Sequence, residues 1–160
     1  MSNILILKTN KGDVKIEMLP KVAPKHVDQI KKLVVEGAYN GVVFHRVIED
    51  FMAQTGDVKY GNKKSSEYSL NAVGTGGSNE PDLPAEFSGV SHERGTVSMA
   101  RSSHPDSANS QFFICFDKAP WLDGEYTVWG RVIEGMDNID KIKRGEPVQD
   151  PDFIEEAFIE

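Results

Sequence analysis

Apolar residues concentrate first over positions 4–9 and 14–19, two runs separated by Asn10-Lys11-Gly12-Asp13. In the second run Val14, Ile16 and Met18 alternate with Lys15 and Glu17. That is the period of a half-buried strand, so the pair reads as two strands joined by a turn. The period then changes. Val27, Ile30, Leu33 and Val34 recur at helical spacing after Pro24, whose missing N–H costs nothing in a first turn. With Gly37 as a stop, this predicts an amphipathic helix near 24–36. Short β-forming runs follow at 42–48, 51–54, 96–101, 111–116 and 126–133, and the Asp123-Gly124 pair predicts a tight hairpin over 122–125. A second helix is expected near 134–143, with Met136, Ile139 and Ile142 on one face, then a closing strand over 153–159. Residues 59–84 hold several Gly and Pro with little periodicity. An irregular stretch that long inside a compact domain is usually functional or a misreading of the elements. Many short strands with two separated helices imply a mainly antiparallel β architecture, a class that often closes into a barrel.

The length of 160 residues suits one domain spanning 1–160. Hydrophobic content of 39% and charged content of 27% are ordinary for a soluble chain. Charge narrows the partners. Eighteen Lys and Arg against 25 Asp and Glu leave a formal charge of −7, and Lys31-Lys32 and Lys63-Lys64 are pairs, not tracts. Neither nucleic acid nor an anionic membrane is an expected partner. Cys115 is the only cysteine, so no intrachain disulfide or cysteine-rich metal site can form. The apolar run near the N-terminus is too short for a signal peptide or a membrane span, and a cytoplasmic location is the default expectation.

Two segments stand out chemically. In 42–48, strand alternation puts Phe44, Arg46 and Ile48 on one face and Val43, His45 and Val47 on the other. A guanidinium between apolar neighbours is either an exposed edge charge or a buried group that needs a partner. His45 reads more readily as a satisfied core histidine than as a ligand or base. In 110–116, Gln111, Phe113 and Cys115 share one face and Phe112, Ile114 and Phe116 the other. Both faces are largely apolar, so both should be covered, and Gln111 then needs hydrogen-bond partners. Cys115 reads as an inert core thiol, because no neighbour in sequence supplies positive charge. Trp121, taken by itself, leans slightly towards the core.

Other signals fail. Gly74-Thr75-Gly76-Gly77-Ser78 lacks the Gly-Lys-Ser/Thr of a phosphate loop. The acidic residues near the C-terminus lack the spacing of a calcium loop, and His26, His45, His92 and His104 lack metal-ligand spacing. No Gly-x-Ser-x-Gly elbow occurs. No metal site is expected.

Taken together, three ordered blocks resemble the cyclophilins. They are Phe44-His45-Arg46-Val47-Ile48 with Phe51-Met52-Ala53-Gln54-Thr55-Gly56-Asp57; Gly95-Thr96-Val97-Ser98-Met99-Ala100 with Ser110-Gln111-Phe112-Phe113-Ile114; and Trp121-Leu122-Asp123-Gly124 with Val128-Trp129-Gly130-Arg131-Val132. Gly74–Gly77 and Glu86-Phe87 fit the intervening loop. The resemblance covers nearly the whole chain and looks like the small single-domain bacterial type. It implies a closed eight-stranded antiparallel β-barrel with two capping α-helices, and peptidyl-prolyl cis-trans isomerase activity without a cofactor.

By this resemblance Arg46, Phe51, Gln54 and Phe113 are catalytic residues. Met52, Ala100, Arg101, Ser102, Gln111, Trp121, Leu122 and Tyr126 bind substrate. Phe51, Met52, Phe113 and Leu122 would receive the proline ring, while Gln54 and Gln111 would support the arginine and the peptide backbone. Trp121 implies binding of a cyclosporin-type inhibitor. Arg101 and Tyr126 depart from the best-known eukaryotic members, which carry asparagine and histidine there. The first would offer mainly backbone contacts with its side chain free to vary, and the second keeps an aromatic wall. The expected partners are proline-containing peptides and unfolded or folding proteins, bound by a monomer. The rival reading is a binding module for proline peptides, with turnover incidental.

Overall fold

The structure, a computed structural model, describes residues 2–160. The first two apolar runs form β1 (Ile4–Thr9) and β2 (Gly12–Met18), antiparallel, with Leu7 opposite Val14. Leu5 and Leu7 of β1 and Val14, Ile16 and Met18 of β2 are buried in the main core, as their alternation predicts.

The helix α1 (Pro24–Val35) opens on Pro24 and buries Val27, Ile30, Leu33 and Val34. Its N-cap residue, Ala23, offers no side-chain acceptor. Glu86, far away in sequence, supplies one: its carboxylate accepts from the backbone N–H of Lys25 (3.3 Å) and His26 (3.0 Å). Orphan donors at the helix start are thereby satisfied from a loop, and the carboxylate sits at the positive end of the helix dipole.

Six further strands follow: β3 (Arg46–Ile48), β4 (Met52–Thr55), β5 (Thr96–Met99), β6 (Phe112–Cys115), β7 (Val128–Glu134) and β8 (Ile154–Ile159). All pairings are antiparallel, in the order β3-β4-β6-β5-β7-β2-β1-β8. The sheet curls around Phe44, Phe112 and Trp129, and Phe112 meets Trp129 edge to face at 5.3 Å between centroids.

Four expectations need correction. The barrel is curled rather than fully closed, because its end strands β3 and β8 share no ladder. Their flanks meet through a single bridge, Val43 to Phe153, with Phe44 N–H donating to Asp152 O at 2.8 Å. Residues 42–45 lie outside β3, so strand alternation does not govern them. Phe44 accordingly enters the core beside Val47 and does not share the face of Arg46. The residues 122–125 make a turn but no hairpin: β6 and β7 on either side are separated by β5. A 3-10 turn (Pro120–Leu122) leads into Asp123 at φ −63° and Gly124 at φ 74°, a type II turn whose third residue needs glycine's left-handed freedom. Finally, α2 (Met136–Asp140) is shorter than expected, because β7 runs on to Glu134 and the left-handed Gly135 separates the two. No regular element interrupts residues 56–95.

Candidate active site

One row of residues crosses four strands on the outer face of the sheet. Register places Arg46 opposite Gln54, Gln54 opposite Phe113, and Phe113 opposite Ser98. Alternation in β6 explains how this face became apolar. Phe112 and Ile114 point to the main core, while Phe113 and Cys115 join a second cluster with Met52, Ala119 and Leu122. Ile48, Phe51, Ala100 and Tyr126 border it, partly buried. Burial pushes the Cys115 thiol up to about 12, so it acts as a small apolar side chain, in line with its inert reading.

Above this second cluster lies a cleft of about 470 Å³. Arg46, Phe51, Met52, Gln54, Ala100, Arg101, Phe113, Leu122 and Tyr126 all line it. Ser102 and Gln111 line an adjoining cavity of about 270 Å³, which shares Gln54, Ala100 and Arg101 with the first. Trp121 lines neither. It is 63% exposed, contrary to its lean towards the core, and stands 5.7 Å from the Phe51 ring at the rim.

Phe113 is held on three sides. Met52, Leu122 and their neighbours bury it, Tyr126 meets its edge at 5.9 Å, and the His92 imidazole stacks on it at 6.2 Å and 16°. His92 is itself fixed, with Nδ1 2.9 Å from Asp123 and Nε2 2.9 Å from the Ser98 hydroxyl. An apolar floor this constrained suits a rigid ring-shaped ligand group.

The polar wall is a chain of hydrogen bonds whose direction is forced. Arg46 has only donors, so its Nη1–H requires the Gln54 oxygen as acceptor, at 3.3 Å. The Gln54 amide N–H then donates to the Gln111 oxygen at 3.0 Å. Gln111 in turn donates to the carbonyls of Gly74 (3.0 Å) and Gly76 (2.9 Å). The N–H groups of those two glycines donate to Asp57 Oδ2 at 2.8 and 3.0 Å, and Lys59 and Tyr60 N–H donate to Oδ1. Asp57 is fully buried, and a Cβ on Gly76 would stand 2.5 Å from its Oδ1. Glycine at 76 is therefore a requirement of close approach. The irregular loop is the support of the cleft's polar wall.

Sequence patterns missed several of these parts. Asp57 was legible only as part of a motif, and its role rests on glycines 17 and 19 positions away. Glu146, which accepts from Arg46 Nε–H at 2.7 Å, carries no periodic signal. At Arg101, where the family resemblance implied mainly backbone contacts, the side chain makes contacts of its own. Its Nε–H and Nη2–H donate to Glu125 O at 3.0 and 2.7 Å, and its guanidinium lies 4.5 Å over the Tyr126 ring. The two departures thus support each other. His45 is buried and lines the cleft, and its Nδ1 has no hydrogen-bond partner among the described residues. Burial is the main cause that lowers its pKa to about 4, with Arg46 adding to the effect. Among the described residues no group of three or more His, Cys, Asp and Glu could hold a metal ion, and no helix is long and apolar enough to cross a membrane.

Comparison with known proteins agrees with this geometry. Residues 4–160 match the family model described as cyclophilin type peptidyl-prolyl cis-trans isomerase/CLD. A probable peptidyl-prolyl cis-trans isomerase of Brucella suis is 61% identical over 99% of this chain and 83% of its own length. One from Helicobacter pylori is 40% identical over 89% of this chain and 82% of its own. Among solved structures, the cyclophilin AquaCyp293 from Hirschia baltica superposes with a TM-score of 0.84 at 30% identity, covering 99% of this chain and 74% of that one. A cyclophilin type isomerase of Cryptosporidium parvum, crystallised in the presence of the dipeptide Ala-Pro, gives 0.83 at 27%, covering 98% of each. The curled eight-stranded sheet, the apolar floor beside a tethered guanidinium and these matches agree: the chain belongs to the cyclophilin-type peptidyl-prolyl cis-trans isomerase family.

Proposed function

We propose that this cleft binds an Xaa-Pro segment and that Arg46 accelerates its rotation by stabilising the twisted amide. The family acts on proline-containing peptides and proteins. The observation that carries the residue-level reading is the guanidinium beside an apolar floor. Arg46 lines the cleft with Nε–H on Glu146 and Nη1–H on Gln54, and Nη2 has no acceptor among the described residues.

Amide resonance opposes rotation by roughly 18–20 kcal/mol, and unaided Xaa-Pro exchange takes tens to hundreds of seconds. No bond breaks, so neither nucleophile nor cofactor is needed. In the twisted state the nitrogen is pyramidal and carries a lone pair, which a guanidinium N–H can approach. The planar amide offers that N–H less, so the interaction favours the transition state. A charge-assisted hydrogen bond contributes roughly 1.5–3 kcal/mol, or about 10- to 150-fold in rate. The rest comes from fixed dipoles aimed into the cleft. Phe113, Met52, Leu122 and Phe51 hold the ring while the preceding carbonyl swings. Gln54 and Gln111 present the arginine and the peptide backbone, and Ala100, Arg101 and Ser102 border the residues before proline. The same reading extends to a cyclosporin-type inhibitor resting on the exposed Trp121, and to action as a cytoplasmic monomer.

Arg46→Lys tests the mechanism. It keeps the charge and loses the planar fork, so turnover should fall at least about tenfold in a folded variant. Near-normal turnover would remove the fork from the chemistry. The wild-type profile should be nearly flat between about pH 6 and 9, because no essential group titrates there.

A further inference from the structure

We infer that Glu146 is a positioning residue for Arg46, holding its guanidinium at the angle the reaction uses. This rests on the role of Arg46 proposed above. Glu146 comes from the loop after α2, a hundred positions away in sequence, and no periodicity or motif marks it. Its carboxylate accepts from Arg46 Nε–H at 2.7 Å and lines the same cleft.

Two observations separate this pair from a casual surface contact. First, the loop that carries Glu146 is bonded to the segment that carries Arg46. Val47 N–H donates to Gly145 O (2.8 Å), Gly145 N–H to Val47 O (2.9 Å), and Val148 N–H to His45 O (2.9 Å). These three backbone bonds bracket Glu146 on both sides. Second, the carboxylate and Gln54 take different edges of one planar group, Nε and Nη1. A planar fork held at two edges has its plane defined, and what stays available is Nη2 and the rest of Nη1. Without Glu146 the half-exposed side chain, 39% accessible, can pivot about the single Gln54 contact.

Energetics point to rate over stability. An ion pair this exposed contributes at most about 1 kcal/mol to folding. Misplacement of a reacting group by a fraction of an ångström, in contrast, is felt directly in turnover. Glu146 touches no reacting atom in this scheme and acts only through Arg46.

The test is a double-mutant cycle on isomerisation of an uncharged Xaa-Pro peptide. It uses wild type, Glu146→Ala, Glu146→Gln, Arg46→Ala and Arg46→Ala combined with Glu146→Ala. Melting temperatures are measured for all five. For Glu146→Ala the expected result is a fall in kcat of about 5- to 20-fold with KM changed less than about twofold, and an unchanged melting temperature. Glu146→Gln, which keeps an oxygen acceptor, should lose less. The advantage of wild type over Glu146→Ala should shrink between about 0.05 and 1 M salt, as screening of an exposed pair requires. In the Arg46→Ala background the Glu146 substitution should have no effect. Wild-type kcat in Glu146→Ala, or equal losses in both backgrounds, would overturn the inference and leave the role of Arg46 intact. If Arg46→Ala itself keeps near-normal turnover, the reading beneath the inference fails, and the inference fails with it.

Discussion

Replacing Asp57 by asparagine should both destabilise the protein and loosen the cleft's polar wall. The carboxylate is fully buried and accepts four backbone N–H groups, two on each oxygen, between 2.8 and 3.1 Å. In either orientation an asparagine keeps one oxygen and presents an NH2 where the other stood. Two donors then face a donor. A hydrogen bond to a charged group contributes about 1.5–3 kcal/mol, so two lost bonds cost about 3–6 kcal/mol. For a chain of this size, that lowers the melting temperature by roughly 6–24 °C. Function should suffer too if the lost pair is Gly74 and Gly76, because their carbonyls anchor Gln111 and, through Gln54, Arg46. Thermal unfolding followed by circular dichroism gives the first quantity, and peptide isomerisation below the melting temperature gives the second. A variant melting within about 2 °C of wild type would refute the four-donor account of Asp57.

Acid should weaken the fold through His45. Its folded pKa is depressed from 6.5 to about 4, so the folded state binds fewer protons than the unfolded chain between those values. Its contribution is complete above about pH 6.5 and is lost as pH falls towards 4, to a total of about 3 kcal/mol. Burial depresses His26 likewise; at Glu86 burial works to raise the carboxyl, but hydrogen bonds from His26 and then Lys25 outweigh it and hold the carboxyl low, so both groups act in the same direction. Denaturant midpoints at pH 7 and 4.5 for wild type and His45→Gln check this; equal acid sensitivity would contradict it. At Trp121, 63% exposed, substitution by alanine should change stability by less than about 0.5 kcal/mol. The same variant should bind a cyclosporin-type ligand at least about tenfold more weakly, and calorimetric titration showing unchanged affinity would remove Trp121 from the binding surface.

Alternation made the inward faces legible wherever ladders are long. In β1, β2 and β6 each side chain goes where period two sends it, and the doubly apolar β6 correctly implied two covered faces. It failed at Phe44, because 42–45 are held by isolated bridges and a few loop bonds that impose no period. The hairpin failed for a related reason: an Asp-Gly turn fixes a local bend, whereas β5, from earlier in the chain, decides what lies between β6 and β7. The site was readable as separate residues, from the resemblance and from the need of Arg46 and Gln111 for partners. Its connecting chain was not, since Glu146 meets Arg46, Gly74 meets Gln111 and Asp57 meets Gly74 only through tertiary packing.

The central claim is that this cleft turns over Xaa-Pro bonds through Arg46. The direct measurement is the cis-to-trans rate of a short Xaa-Pro peptide without protein, with wild type, and with Arg46→Ala at a concentration where its folded state is verified. The account requires strong acceleration by wild type that falls at least about tenfold in the variant. Equal acceleration by both would contradict the role of Arg46, and no acceleration by folded wild type would leave a groove that only binds proline peptides.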